Sequence, residues 1–266
     1  MIVLESPFPE LEEEKNTLEV LGIGLVSISE KTHKIIFRKG IGSSQLKILI
    51  KIYKKEILKK KKGKLVELRG IYTVHVHFYN TKNDIFTLFY INENNKLINY
   101  EKLCLISNYI FNLYNENVPN SEIDRICAKI TPQVNDISAL FIISTCGHCF
   151  FKRVNKEKKF LAKNYIQVGG FISAILAFSK QVLCQESGET LQTINFENQQ
   201  FEMQVKNEVI IAYLTNNKDN LDKIKRYIDL VIEEFFEMYS TEIEKFNGDL
   251  TPFDEFEKVI DKYFVI

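Results

Sequence analysis

Apolar positions in this chain switch between unbroken runs and helical spacing, and the order of the switches occurs twice. Leu18–Ile28 reads as a strand covered on both faces, Glu30–His33 as a turn, and Lys34–Arg38 as the returning strand. Leu46, Leu49, Ile50, Tyr53 and Ile57 recur at helical spacing with lysines between them. They predict a helix ending near Leu58, capped by Ser43 or Ser44. Leu65–Leu68, Ile71–Tyr79 and Asp84–Ile91 follow as three strands, separated by Gly70 and by Asn80–Asn83. A second helix covers Tyr100–Leu113, with Leu103, Ile106, Ile110 and Leu113 facing inward.

The second copy opens with the continuous apolar run Ile137–Ile143, turns at Thr145–His148 and returns through Cys149–Val154. A helix is expected over Tyr165–Leu183, then strands at Leu191–Phe196, Gln200–Lys206 and Glu208–Leu214, then a helix over Asn220–Tyr239. Thr251-Pro252 followed by Asp254 and Glu255 predicts a last helix that Thr251 caps, with Phe253, Phe256, Ile260 and Phe264 toward the core. The pattern predicts an α+β chain of two consecutive domains. Each holds a five-stranded antiparallel or mixed sheet, with one helix on one face and one or two on the other. The expected boundaries are a flexible lead-in at 1–16, a first domain at 17–118, a linker at 119–135 around Pro119 and Pro132, and a second domain at 136–266. Within the linker, Glu122–Ile130 could form one short helix.

A length of 266 residues accommodates two modest cores. Thirty-five basic residues balance 35 acidic ones, so no net field draws the chain to nucleic acid or membrane. No stretch approaches the roughly 20 apolar residues of a spanning helix. The N-terminus lacks the basic region of a signal peptide, so the expected location is the cytoplasm. Charge is nevertheless segregated. Residues 31–69 are basic and residues 229–261 acidic. Lys54, Lys55, Lys59, Lys60, Lys61, Lys62 and Lys64 are candidates for a basic surface. Such a surface could meet anionic lipid at the membrane periphery or an acidic protein, or simply be solvated. Nucleic acid is not expected, because aromatic residues do not interleave with these lysines.

The helix at 165–183 stands apart. Val168, Phe171, Ile172, Ile175 and Phe178 form one face, Gly169, Gly170, Ala174 and Ala177 much of the rest, and no charge precedes Lys180. A helix apolar nearly all round must be covered on both sides. Gly169, Gly170, Phe171, Ser173, Ala174 and Ala177 are therefore candidates for contact with a sister domain or a partner.

Candidate chemistry is sparse, and no enzyme activity, cofactor or metal is expected. Cys146-Gly147-His148-Cys149 has the spacing of a disulfide oxidoreductase centre, but it joins two strands, whereas a reactive cysteine needs a helix N-terminus or a neighbouring cation. Gly147 as a hairpin residue, with the cysteines flanking it as small residues, is the simpler account. Cys146, His148 and Cys149 lack a fourth zinc ligand. His75 and His77 share a strand face and could form half a metal site, or sit on a partly exposed face. Gly40 and Gly42 occupy the place of a phosphate loop without its third glycine or its lysine. The five cysteines, including Cys184, form no disulfide framework.

The order strand-strand-helix-strand-strand-strand-helix-helix resembles longin domains of the roadblock/longin superfamily. The resemblance in the second copy rests on Ala139–Ile143 turning at Gly147 into Phe150-Phe151, on Gly170–Ile175 with Phe178, and on the helices Phe235–Tyr239 and Phe253–Phe264. In the first it rests on Leu88–Glu93 and the helix that follows. Two such domains in tandem resemble the longin GTPase regulators of the Mon1–Ccz1 and Fuzzy type. The resemblance implies binding of a small Ras/Rab-like GTPase, as an exchange-factor subunit or trafficking adaptor, and pairing with another longin protein. Thiol–disulfide exchange at Cys146/Cys149 and a purely structural scaffold are the alternatives.

Overall fold

The computed structural model describes residues 18, 20–94, 98–130, 137–183, 190–216 and 221–263. The 1–16 lead-in, the end of the linker at 131–135, Cys184 and Phe264 lie outside the described residues. The chain divides into two compact units, Met1–Pro132 and Gln133–Ile266.

The first unit is built on strands β1 (Gly22–Ile28), β2 (His33–Lys39), β3 (Gly63–Arg69), β4 (Tyr72–Asn80) and β5 (Ile85–Glu93). They form one antiparallel sheet in the order β2-β1-β5-β4-β3. Helix α1 (Ser43–Lys60) lays Leu46, Leu49, Ile50, Tyr53 and Ile57 on one face, in a core with Val26, Val76, Phe78 and Phe89. Helices α2 (Tyr100–Asn115) and α3 (Asn120–Ile130) cover the other face, in a core with Leu25, Phe37, Leu88 and Tyr90. Every residue of β5 is buried, because helices lie on both sides of it.

The second unit repeats this order. β6 (Ile137–Ser144), β7 (Cys149–Val154), β8 (Thr193–Asn195), β9 (Gln200–Lys206) and β10 (Val209–Thr215) pair antiparallel as β7-β6-β10-β9-β8. One face carries α4 (Lys159–Lys163) and α5 (Tyr165–Phe178), with α5 followed by a π-helical turn at Ser179–Leu183. The opposite face carries α6 (Leu221–Glu244), a 3-10 turn (Thr251–Asp254) and α7 (Glu255–Tyr263). Phe150, Phe235, Phe253, Phe256 and Tyr239 interlock there, with ring centroids as close as 4.6 Å. Edge-to-face and offset pairs of this kind add to the stabilisation from area burial.

The α+β reading, with two five-stranded sheets flanked by helices, holds among the described residues. Both sheets are wholly antiparallel. Several local expectations differ. The short helix allowed for within the 119–135 stretch forms as α3, and its Ile123 and Cys127 are fully buried in the first unit's core rather than spanning a linker. Gly42, in extended backbone, is the N-cap residue of α1 and makes no side-chain cap bond; neither Ser43 nor Ser44 occupies that position. Thr251 does not cap the last helix. Asp249 instead accepts a hydrogen bond from its N–H (3.0 Å), and a 3-10 turn precedes α7. The helix expected to end at Tyr239 does break there, at a non-helical Tyr239 (φ −127°), and a second helical stretch carries α6 on to Glu244.

Gly40 serves the fold. It has φ +65°, and a Cβ at Gly22 would lie 2.2 Å from its carbonyl oxygen. The two glycines let β1 and the β2–α1 loop touch backbone to backbone, which explains them without a phosphate.

Candidate functional site

Helix α5 meets the β6–β7 hairpin through its small residues. Gly147, at φ +90°, is the turn residue, and its N–H donates to the Ser144 carbonyl (2.9 Å). A Cβ at Gly169 would lie 2.9 Å from the Gly147 carbonyl oxygen, and Ser173 Oγ donates to the Thr145 carbonyl. Gly169 is buried and Ser173 half-buried, so these two candidates belong to a contact inside the second unit.

The other four, Gly170, Phe171, Ala174 and Ala177, face solvent. Of the face expected inward, Ile172 is buried and Val168 and Ile175 are half-buried, while Phe171 is 49 % and Phe178 57 % exposed. The correction follows from helical geometry. Ile172 is buried in the sheet core that also holds Ile143 and Cys149, and positions one residue before it or six after turn away. With Ile166 (64 % exposed), these residues make an uncharged apolar stripe along α5. Ile166, Phe160 on α4 and Val182 beyond α5 extend the exposed apolar surface and were missed in sequence. Phe160 interrupts a lysine-rich run together with Leu161 and Ala162, which was the available signal.

The geometry separates the two glycines. Gly169→Val should destabilise the fold by about 1–3 kcal/mol, because its partner is backbone and must shift. Gly170→Ala should stabilise it by about 0.5–1 kcal/mol, since a Cβ there meets nothing within 4 Å and glycine is costly inside a helix. Urea unfolding midpoints of the two variants test this.

The tetrapeptide Cys146–Cys149 is divided between environments. Cys146 is exposed. Cys149 is buried in the core beneath α5, its Sγ donates to the Phe151 carbonyl (3.2 Å), and burial pushes its thiol pKa up to about 12. The His148 ring lies on the opposite side, edge-on to Phe246 (5.4 Å). A thiol held protonated is a poor nucleophile, and ligands on opposite faces cannot converge on one ion. Among the described residues, no cluster of three or more His, Cys, Asp or Glu could hold a metal.

His75 and His77 share a face of β4, as expected, but the face is buried under α2 rather than partly exposed. Ser107 Oγ donates to the Leu103 carbonyl (2.7 Å), so it accepts from Tyr90 OH (2.8 Å) and from His77 Nδ1 (2.8 Å). His77 is thereby held in one neutral tautomer, with Nε2 buried and unpartnered. Burial, then the nearby Lys64 and His75, lowers its pKa to about 4.

The basic candidates do not form one surface. Lys55 and Lys59 point outward from α1, and Lys54 is half-buried on its flank. Lys60 pairs with Glu56 (2.7 Å), and Lys61 ends the helix in the left-handed conformation. Lys62 is exposed in the turn that follows. Lys64 lies against the opposite sheet face, 2.8 Å from Cys104 Sγ and over the Tyr100 ring.

A groove of about 970 Å³ runs beside edge strand β7, lined by residues including Phe151, Arg153, Tyr165, Phe253 and Glu257. Among the described residues, no helix is long and apolar enough to cross a membrane.

No family model matches the chain. An uncharacterised protein of Plasmodium falciparum (isolate 3D7) is 32 % identical over 89 residues, covering 32 % of this chain and 10 % of that protein. The chain thus aligns with about a tenth of its relative's length. Among solved structures, the ligand-binding domain of Mlp24 with asparagine aligns over 79 % of this chain and 72 % of its own, at 12 % identity and a TM-score of 0.19.

Proposed function

We propose that this chain is a non-catalytic tandem-longin protein that binds a small Ras/Rab-like GTPase, as an exchange-factor subunit or trafficking adaptor. The observation that carries the reading is the uncharged stripe Gly170-Phe171-Ala174-Ala177-Phe178 on α5, exposed to solvent and backed by the sheet. Contiguous exposed apolar surface is costly in water and marks interaction sites. The repeated strand order, with one helical layer on each face, supports the longin reading. The divided environments of Cys146 and Cys149 favour binding over thiol exchange.

The test is capture of Ras/Rab-like GTPases on the immobilised protein, each in GDP, GTP-analogue and nucleotide-free form. Capture of the nucleotide-free form indicates exchange, and capture of the GTP form an effector or adaptor. Phe171→Arg and Ala174→Arg should each abolish capture with circular dichroism unchanged, because both positions face solvent. Absence of capture in every state would overturn the GTPase reading. A second reading is a scaffold that pairs with another longin-type protein, favoured by the groove beside the open edge of β7.

A further inference from the structure

The outward pole of α1 is a second exposed face, of different chemistry. Lys47, Lys51, Lys55 and Lys59 recur every fourth residue and are all exposed. Ile48 and Ile52 lie among them, 57 % and 38 % exposed. The only acid of the helix, Glu56, sits to one side and is paired with Lys60. The buried stripe from Leu46 to Ile57 occupies the opposite pole, so the helix is fixed to its sheet and presents this face without further rearrangement.

We propose that this face of α1 docks the first unit on an anionic lipid bilayer, with the helix lying flat in the headgroup region. The ammonium groups of Lys51, Lys55 and Lys59 attract a negatively charged surface, and the two isoleucines supply aliphatic groups that can enter the acyl boundary. The face is the convex outer side of a helix. Lysine, a point charge on a long stem, fits a laterally averaged field of phosphates better than fixed carboxylate positions. The stems themselves are apolar and can follow the isoleucines inward while the charges remain in the headgroups. This surface lies in the first unit, so the inference does not depend on the α5 reading.

The experiment is sedimentation of the full chain with phosphatidylcholine vesicles, with and without about one third phosphatidylserine. Binding is expected only to the anionic vesicles, and it should fall as salt is raised. Each lysine contributes about five-fold in partition, so Lys51→Gln/Lys55→Gln/Lys59→Gln should weaken binding by about a hundred-fold. Ile48→Ser/Ile52→Ser should weaken it by about ten-fold or more. All of these side chains point to solvent, and matching circular dichroism spectra will verify that the variants fold. Equal binding to neutral vesicles, full retention in the glutamine variant, or no sedimentation with anionic vesicles would each overturn the proposal. If the chain ignores anionic vesicles but binds immobilised polyglutamate through the same lysines, the face recognises an acidic protein surface and the lipid assignment fails.

Discussion

Phe235→Ala should remove about 3–5 kcal/mol from the stability of the second unit, enough to unfold a marginal domain. Phe235 is fully buried on α6 and lies within 5–6.5 Å, centroid to centroid, of Phe150, Tyr239, Phe253 and Phe256. Deleting its ring leaves a cavity bounded by three separate elements: β7, the 3-10 turn and α7. None can close the gap without losing its other contacts. Phe196→Ala is the control. That ring is 50 % exposed, and its loss should change stability by about 0.5 kcal/mol or less. The chain has no tryptophan, so guanidinium unfolding followed by near-ultraviolet circular dichroism of Tyr and Phe is the appropriate measurement. A midpoint for Phe235→Ala equal to that of Phe196→Ala would contradict the packing described.

The first unit should lose about 3 kcal/mol as pH falls from 7 to 4, through His77 alone. Its folded pKa of about 4 lies below the ordinary 6.5, so the unfolded chain takes up the proton first. The stability is therefore complete above about pH 6.5, declines as pH drops through that value, and levels off below about 4. His75, also lowered by burial, adds in the same direction. The groups around His77 are Lys64 on β3, His75 and Tyr79 on β4, Tyr90 on β5, and Tyr100 and Cys104 on α2. None of them supplies a carboxylate to receive the new charge. His77→Phe should flatten the stability profile between pH 7 and 4.5, because Ser107 keeps its bonds to Tyr90 and Leu103. An unchanged profile would show that the imidazole is hydrated in the folded state.

The architecture was legible because period and run length report burial. Ala139–Ile143 and Leu88–Ile91 are continuous apolar runs, and both lie in strands covered on two faces. The stripe on α1 from Leu46 to Ile57 was read residue for residue. Helix α5 was only half legible. Its composition pointed to a second apolar face needing cover by a sister domain or a partner, yet with apolar residues all round, nothing in the periodicity distinguished Ile172, which is buried, from Phe171, which is exposed. Gly169 and Gly170 look alike in sequence; only the position of the Gly147 carbonyl separates them. The histidine pair was misjudged for a related reason. Alternation placed both on one face, but whether a helix covers that face depends on where Ser107 falls, 30 residues later.

The strand order has a consequence for how the polypeptide is made. In each sheet the first strand pairs on its inner side with the last, β1 with β5 and β6 with β10. During synthesis β1 emerges at Gly22–Ile28 and gains only β2 as a neighbour until Ile85–Glu93 has left the ribosome. Over that interval an apolar strand keeps an open edge, the kind of surface that recruits other chains. The second unit repeats the delay from Ile137 to Thr215. A nascent chain halted before Glu93, or a fragment cut just before β10, is therefore the form of this polypeptide that chaperones must hold.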